Sequence, residues 1–219
     1  MSARALAGRR VVVSAGPTFE DIDPVRFIGN RRSGKMGFAI AAAAARQGAD
    51  TVLVAGPVPL PTPPGVQRID IRSAAQLREA VLAALPADAY IGAAAVADWT
   101  PRDVAPGKLK KGEGIDTLVL ELVRTPDVLA EVAVHPRRPR LVIGFAAETE
   151  NLEANARAKL VAKHLDYIAA NRVGIAGSGF ESDDNALTVI GHGSLRELGP
   201  APKAELAETL IELVAGQLS

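Results

Sequence analysis

Basic, amide and small residues gather in a few short stretches of this chain, each beside a glycine or at the start of a helical pattern. Residues 14–35 read SAGPTFEDIDPVRFIGNRRSGK and hold Arg26, Asn30, Arg31, Arg32 and Lys35 just ahead of a helix. Backbone N–H groups at a helix start, with guanidinium and ammonium groups around them, suit an anion. The competing reading is a solvated loop with surface arginines. Residues 107–114, GKLKKGEG, set Lys108, Lys110 and Lys111 on a glycine-flanked loop that could neutralise a polyphosphate or simply face water. Lys159 and Lys163 are four residues apart on one helical face, either surface charges or a second phosphate clamp. Residues 92–98, GAAAVAD, are small as far as Asp98, which lets a flat ligand approach the backbone or a helix pack tightly. TPDVL at 125–129 opens a helix that could hold a phosphate or merely be capped, and GFAAETEN at 144–151 puts Phe145 and Glu148 at a strand end.

The elements that position these stretches are legible as apolar runs. Val11–Ser14 is a buried strand that must stop at Gly16-Pro17. A helix is expected from about Ser33, as N-cap, to Gln47, with Gly48 as its C-terminal glycine. Its small residues, Gly37, Ala39 and Ala41–Ala45, allow it to lie close on a sheet. The connection from strand to helix is far longer than the usual stretch of roughly two to six residues. Further strands are expected at Thr51–Ala55, Val66–Ile71, Tyr90–Val96, Thr117–Val123, Leu141–Ala147 and Asp166–Ala170, with a short one ending near Ile190. Further helices are expected from Ser73 to about Leu85, from Thr125 as N-cap with Pro126 first in the helix, from Leu152 to His164, and from Pro202 to Leu218. Strands that alternate with helices as continuous apolar runs imply a parallel sheet covered on both faces. Polar loops after such strands cluster at one sheet edge. Residues 106–123 and 172–200 are poorer in helix and read as a small β-rich addition at the sheet's edge.

Composition narrows the classes. Lys plus Arg number 25 against 25 Asp plus Glu, which argues against a nucleic-acid or membrane-surface protein. There is no cysteine, hence no disulfide, thiolate metal site or cysteine nucleophile. His135, His164 and His192 are scattered. Apolar runs fall far short of a membrane span and MSARALAGRR lacks a signal-peptide core, so a cytoplasmic location is expected. A nicotinamide dehydrogenase would need G-x-G-x-x-G in the first turn, which has only Gly16. A non-catalytic binding module would leave the gathering of basic and amide groups in four loops unexplained.

Taken together, SAGPTFEDIDPVRFIGNRRSGKMGFAIA (14–41), AAVADW (94–99), KLKK (108–111), TPDVL (125–129), GFAAET (144–149), the lysines of ARAKLVAK (156–163), AAN (169–171) and FESDDNAL (180–187) resemble the phosphopantothenate–cysteine ligase family of the bacterial, CTP-using type. The resemblance runs from about Arg10 to the last helix. Arg32 and Phe19 depart from the small or polar residues usual at their positions. The resemblance implies a single ligase domain over 1–219, an α/β fold with a Rossmann-like, mostly parallel sheet and helices on both faces. It also implies a small β-rich dimerisation subdomain from about 106–123 and 172–200, and a homodimer with its site at the interface.

The activity so implied joins 4′-phosphopantothenate to L-cysteine at the expense of CTP, through an acyl-cytidylate, with Mg²⁺ or another divalent cation and no assigned metal ligands. Nucleic acid and membrane are not implied as partners; native fusion to a flavin-dependent decarboxylase is possible for such a domain. By motif match, Gly92, Ala93, Ala94, Asp98, Lys108, Pro126, Asp127, Val128, Leu129, Phe145, Lys159 and Lys163 would bind the nucleotide. Asn30, Ser33, Gly34, Lys35 and Met36 would meet the phosphopantothenate, and Asn30, Arg26 and Lys108 would serve catalysis. An amide donates hydrogen bonds without giving up a proton, so Asn30 would stabilise charge on the acyl oxygen as cysteine attacks.

Overall fold

The structure is a computed structural model and describes residues 4–110, 117–172 and 184–219. Strands β1 (Arg10–Ala15), β2 (Phe19–Asp21) and β3 (Phe27–Gly29) precede helix α1 (Lys35–Arg46). Then come β4 (Asp50–Ala55), β5 (Val66–Asp70), α2 (Ala74–Ala83), β6 (Ala89–Gly92), β7 (Trp99–Pro101), β8 (Leu122–Arg124) and α3 (Val128–Val134). The chain continues through β9 (Leu141–Glu148), α4 (Leu152–Ala162), β10 (Tyr167–Arg172), β11 (Asp184–Gly191), β12 (Leu195–Pro202) and α5 (Lys203–Leu218).

Eight strands form one sheet in the order β12-β11-β10-β9-β6-β1-β4-β5. The six from β10 to β5 are parallel, and β11 and β12 add an antiparallel edge. Strand side chains alternate between the faces. Val11, Val13, Leu53, Ile91 and Ile143 pack under α1 and α5, against Phe38, Ile40, Leu206, Leu210 and Ile211. Val12, Val52, Val54, Tyr90, Val142 and Ile168 pack under α2, α3 and α4, against Leu77, Val81, Val128, Val132 and Leu160. Cover on both faces explains why the central strands read as unbroken apolar runs. The α/β, mostly parallel architecture with helices on both faces is therefore as expected.

Several local expectations are corrected. Ser33 does not cap α1; Gly34 does, with φ 74°. A Cβ there would lie 3.2 Å from Val58 and 3.4 Å from the Gly16 Cα, so contacts remote in sequence place the helix start. Gly48, at φ 88°, is the expected C-terminal glycine and donates its N–H to Ala45 O at 3.0 Å. The strand expected over Tyr90–Val96 ends at Gly92. Of the strand expected over 117–123, only the end near Leu122 is paired, in a ribbon with β7. Thr125 does not cap α3: its hydroxyl donates to Ala97 O at 2.5 Å, and Asp127 accepts from Ala130 N at 3.1 Å instead. The long loop after β1 contains an unexpected hairpin, β2–β3. β12 was also not expected, and the described part of 172–200 continues the main sheet. Lys111 and residues 173–183 lie outside the described residues.

The β2–β3 hairpin is fastened at three points. Glu20 accepts from Ala74 N at 2.8 Å, at the start of α2, and Arg72 pairs with Asp21 at 2.7 Å. Asp23, buried, accepts from Val25 N, Arg26 N and Leu109 N, and from the Arg26 guanidinium. The Arg26 hydrogen bond holds the Asp23 carboxyl well below the usual carboxylate range, helped by the N–H groups and opposed by burial. The stabilisation this gives is present above the ordinary aspartate pKa and is lost as pH falls below it.

Helix α1 lies directly on β1, because a Cβ at Gly37 would collide with the Ala15 side chain, whereas nothing lies within 4 Å of a Cβ at Gly216 in α5. The same substitution should act oppositely at the two sites. Gly37→Ala should destabilise by about 1–3 kcal/mol through overpacking. Gly216→Ala should stabilise by up to about 1 kcal/mol through helix propensity. Urea unfolding measures both, and a stabilised Gly37→Ala variant would mean that α1 does not rest on β1.

Candidate active site

From β1 the chain runs outward through β4 and β5, then returns to β6 on the other side of β1 and continues to β9 and β10. Where the order reverses, the sheet edge beyond the strand ends is the usual place for a ligand. A cavity of about 710 Å³ occupies this place. Its lining comes from the ends of β1, β6, β9 and β10, the starts of α1, α3 and α5, and the β7–β8 ribbon.

Local hydrogen bonds build the walls. Ala93 N and Ala95 N donate to Ser14 O and Gly16 O at 3.0 and 2.8 Å, so the segment after β6 follows the end of β1. The buried Thr18 hydroxyl accepts from Ala97 N at 3.0 Å. The Asn30 side-chain amide donates to Ala95 O at 3.3 Å and Val96 O at 3.1 Å. Both readings of the small stretch 92–98 hold. A Cβ at Gly92 would sit 3.1 Å from the Leu129 side chain, which is close helix packing, while Ala93–Val96 face the cavity.

The cavity is cationic. Arg32, Lys35, Arg124, Lys163 and Lys203 line it, against the carboxylates Asp98 and Asp127. Asp127 is already engaged, with Lys163 at 2.8 Å and as the cap of α3. Burial lowers the Arg32 guanidinium to about 10, which leaves it charged at neutral pH. Lys203 is buried at the start of α5, and the Arg124 guanidinium lies 5.9 Å from the centre of the Trp99 ring. Fixed positive charge in a recess suits a polyanion. Among the described residues no group of three or more His, Asp or Glu side chains could cage a metal ion.

Asn30, Ser33, Gly34, Lys35 and Met36 all line the cavity, as do Gly92, Ala93, Ala94, Asp98, Pro126, Asp127, Val128, Leu129, Phe145 and Lys163. Three expected residues do not. Arg26 bonds Asp23 at 3.0 Å through Nε and Leu109 O at 3.0 Å, so it ties the hairpin to the stem of the Lys108 loop instead of reaching the cavity. Lys108 is exposed on that loop, outside the lining. Lys159 neutralises the buried Glu148 carboxylate at 2.6 Å. The Asn30 donors are also committed to backbone carbonyls, so in this arrangement the group it offers a ligand is its Oδ1 acceptor.

Sequence reasoning passed over several lining residues: Ser14, Tyr90, Arg124, Asn171, Asn185 and Lys203. Ser14, Asn171 and Asn185 lie inside the quoted blocks 14–41, 169–171 and 180–187, which was the available signal. Ser14, Tyr90 and Lys203 read locally as strand core and helix start.

Comparison with known proteins places the chain in a family. A family model, the DNA/pantothenate metabolism flavoprotein C-terminal domain, matches residues 6–218. The coenzyme A biosynthesis bifunctional protein CoaBC of Vibrio cholerae is 49% identical over 216 residues, which cover 98% of this chain and 54% of that protein. The chain thus spans about half the length of the curated relative. The crystal structure of the C-terminal domain of a CoaBC protein superposes with a TM-score of 0.83 at 37% identity, covering 99% of this chain and 98% of that one. A Cab2 mutant in complex with phosphopantothenate-cysteine shares the fold, with a TM-score of 0.74 at 14% identity over 96% of this chain and 86% of that one. The chain belongs to the family of DNA/pantothenate metabolism flavoprotein C-terminal domains.

Proposed function

We propose that this domain ligates 4′-phosphopantothenate to L-cysteine with consumption of CTP, as a step of coenzyme A biosynthesis in the cytoplasm. The observation that carries the reading is the cationic cavity at the strand-order reversal, lined by the blocks that resemble the ligase family. The CoaBC name of a relative 49% identical supports the pathway. The bifunctional relatives support a native arrangement in which a decarboxylase is part of the same polypeptide.

A carboxylate is a poor electrophile until it carries a good leaving group. In the proposed first step a carboxylate oxygen of phosphopantothenate attacks the α-phosphorus of CTP. The bond to the β-phosphate oxygen breaks, releasing pyrophosphate and leaving an acyl-cytidylate. The step brings two anions together, so the lining cations lower its cost. In the second step the cysteine nitrogen bonds to the acyl carbon, CMP leaves with the electron pair of the acyl–oxygen bond, and the amine loses a proton. Asn30 Oδ1 is suited to accept from that amine and orient it. The donor set fits a divalent cation brought by the triphosphate, with Asp98 as the exposed carboxylate nearest in kind, because Mg²⁺ ordinarily rests on substrate phosphates and one or two carboxylates. Such an ion would supply charge neutralisation. Lys108, on its anchored loop, is proposed to reach the triphosphate from outside the lining.

Pyrophosphate release with CTP or ATP, with and without each co-substrate, tests the reading. CTP with phosphopantothenate should release pyrophosphate, and ATP should do so far more slowly. Equal rates would remove the CTP assignment, and no release with either would remove the ligase.

Asn30→Asp keeps an acceptor but loses the donors to Ala95 and Val96 and adds a negative charge. It should accumulate acyl-cytidylate from CTP and phosphopantothenate and pass it to cysteine at least tenfold more slowly. Mass spectrometry of bound products checks this, and transfer at the wild-type rate would contradict it.

A homodimer is proposed as well, through 106–123 with a contribution from 172–200. In support, Val104, Leu118, Val119 and Leu122 are large apolar side chains left exposed around the β7–β8 ribbon. Such a grouping commonly marks an interface. Sedimentation should give a dimer at working concentration, and an active monomer would refute it.

A further inference from the structure

Ser14 and Tyr90 border the cavity, each 1% exposed, and no role above uses them. Ser14 lies on β1 and Tyr90 on the adjacent β6, with their hydroxyl oxygens 3.0 Å apart. A hydroxyl carries one hydrogen and accepts at two lone pairs. One hydrogen lies between the two oxygens, yet the pair owns two. Among the described residues neither hydroxyl has a further partner. Buried polar hydrogens are rarely left without an acceptor, and the open space beside this one is the cavity.

Two further observations place the spare hydrogen. A Cβ at Gly92 would lie 3.6 Å from the Tyr90 hydroxyl and 3.1 Å from the Leu129 side chain, so the cavity wall at Gly92 passes close to that group. Burial pushes the Tyr90 hydroxyl up to about 12; the Ser14 hydrogen bond opposes this and the charge of Asp127 adds to it. The phenol therefore stays protonated at neutral pH and remains a donor. Asp127 and Gly92 are both among the residues that the family resemblance assigns to the nucleotide.

We propose that the Ser14–Tyr90 hydroxyl pair is a nucleoside-binding element, giving its spare hydrogen, at the cavity wall beside Gly92, to an acceptor oxygen or nitrogen of the base or ribose. The inference rests on the nucleotide reading of the cavity. It assigns the pair to the nucleoside and not to the phosphates, whose binding falls to the lining cations.

The test is calorimetric binding of CTP and of inorganic tripolyphosphate to the wild type and to the double variant Ser14→Ala/Tyr90→Phe. Removing both partners of a buried hydrogen bond while keeping the ring leaves no orphaned group, so the fold should persist. The dissociation constant for CTP should rise about three- to tenfold. Tripolyphosphate should bind both proteins alike. Each single variant keeps one hydroxyl with a hydrogen to donate, so it should show the same selectivity with a smaller loss. Unchanged CTP affinity in the double variant overturns the proposal. So does parallel weakening of CTP and tripolyphosphate, which would mark damage to the cavity's shape. Wild-type protein that binds tripolyphosphate as tightly as CTP would overturn the nucleoside reading itself, before any variant is compared.

Discussion

The contact on which the site depends is backbone against backbone, where α1 lies on β1. Gly37 brings the helix down onto Ala15, and Gly34 sets its first turn against Gly16. A side chain at either position would lift the helix or turn its start away. With the helix seated there, its N-terminal N–H groups and the loop carrying Asn30 stand over the end of β1, facing the segment after β6. Asn30 and Thr18 then close the gap by bonding Ala95, Val96 and Ala97. The cavity is thus a product of sheet order and of a helix that small residues let approach.

Much of this was legible in the chain itself, for a physical reason. β1, β4, β6 and β9 are buried on both faces, so their apolar runs could be read without tertiary knowledge. The failures occurred where remote contacts decide. β2 and β3 are three residues each, too short to show a period; Phe19 stacking on Phe27 at 3.9 Å and Arg72 pairing with Asp21 hold them. β12 contains Gly199 and two prolines and pairs only with β11 in the ladder, so its sequence signals turns. Thr125 looks like a cap, but Ala97 claims its hydroxyl.

The site divides in the same way. Residues in contiguous blocks, such as Pro126–Leu129, were found because those blocks resemble the ligase family's. Ser14 and Tyr90 were not, since a serine at a strand end and a tyrosine in an apolar run look like core. Arg124 becomes a lining residue only when β8 pairs with β7. Arg26 shows the converse: a basic residue in a suggestive loop whose charge is spent on Asp23 and on the Leu109 carbonyl. Among the described lining residues, the five cations Arg32, Lys35, Arg124, Lys163 and Lys203 stand with two carboxylates, Asp98 and Asp127. That excess is what makes a phosphate-rich ligand the natural occupant.

The most direct measurement is a crystal structure of the protein with CTP and a divalent cation. The nucleoside should lie against residues 92–98 and 125–129, with the phosphates among the lining cations. Density for the nucleotide outside this cavity, for example in the groove between β5 and α2, would contradict the placement of the active site at the strand-order reversal.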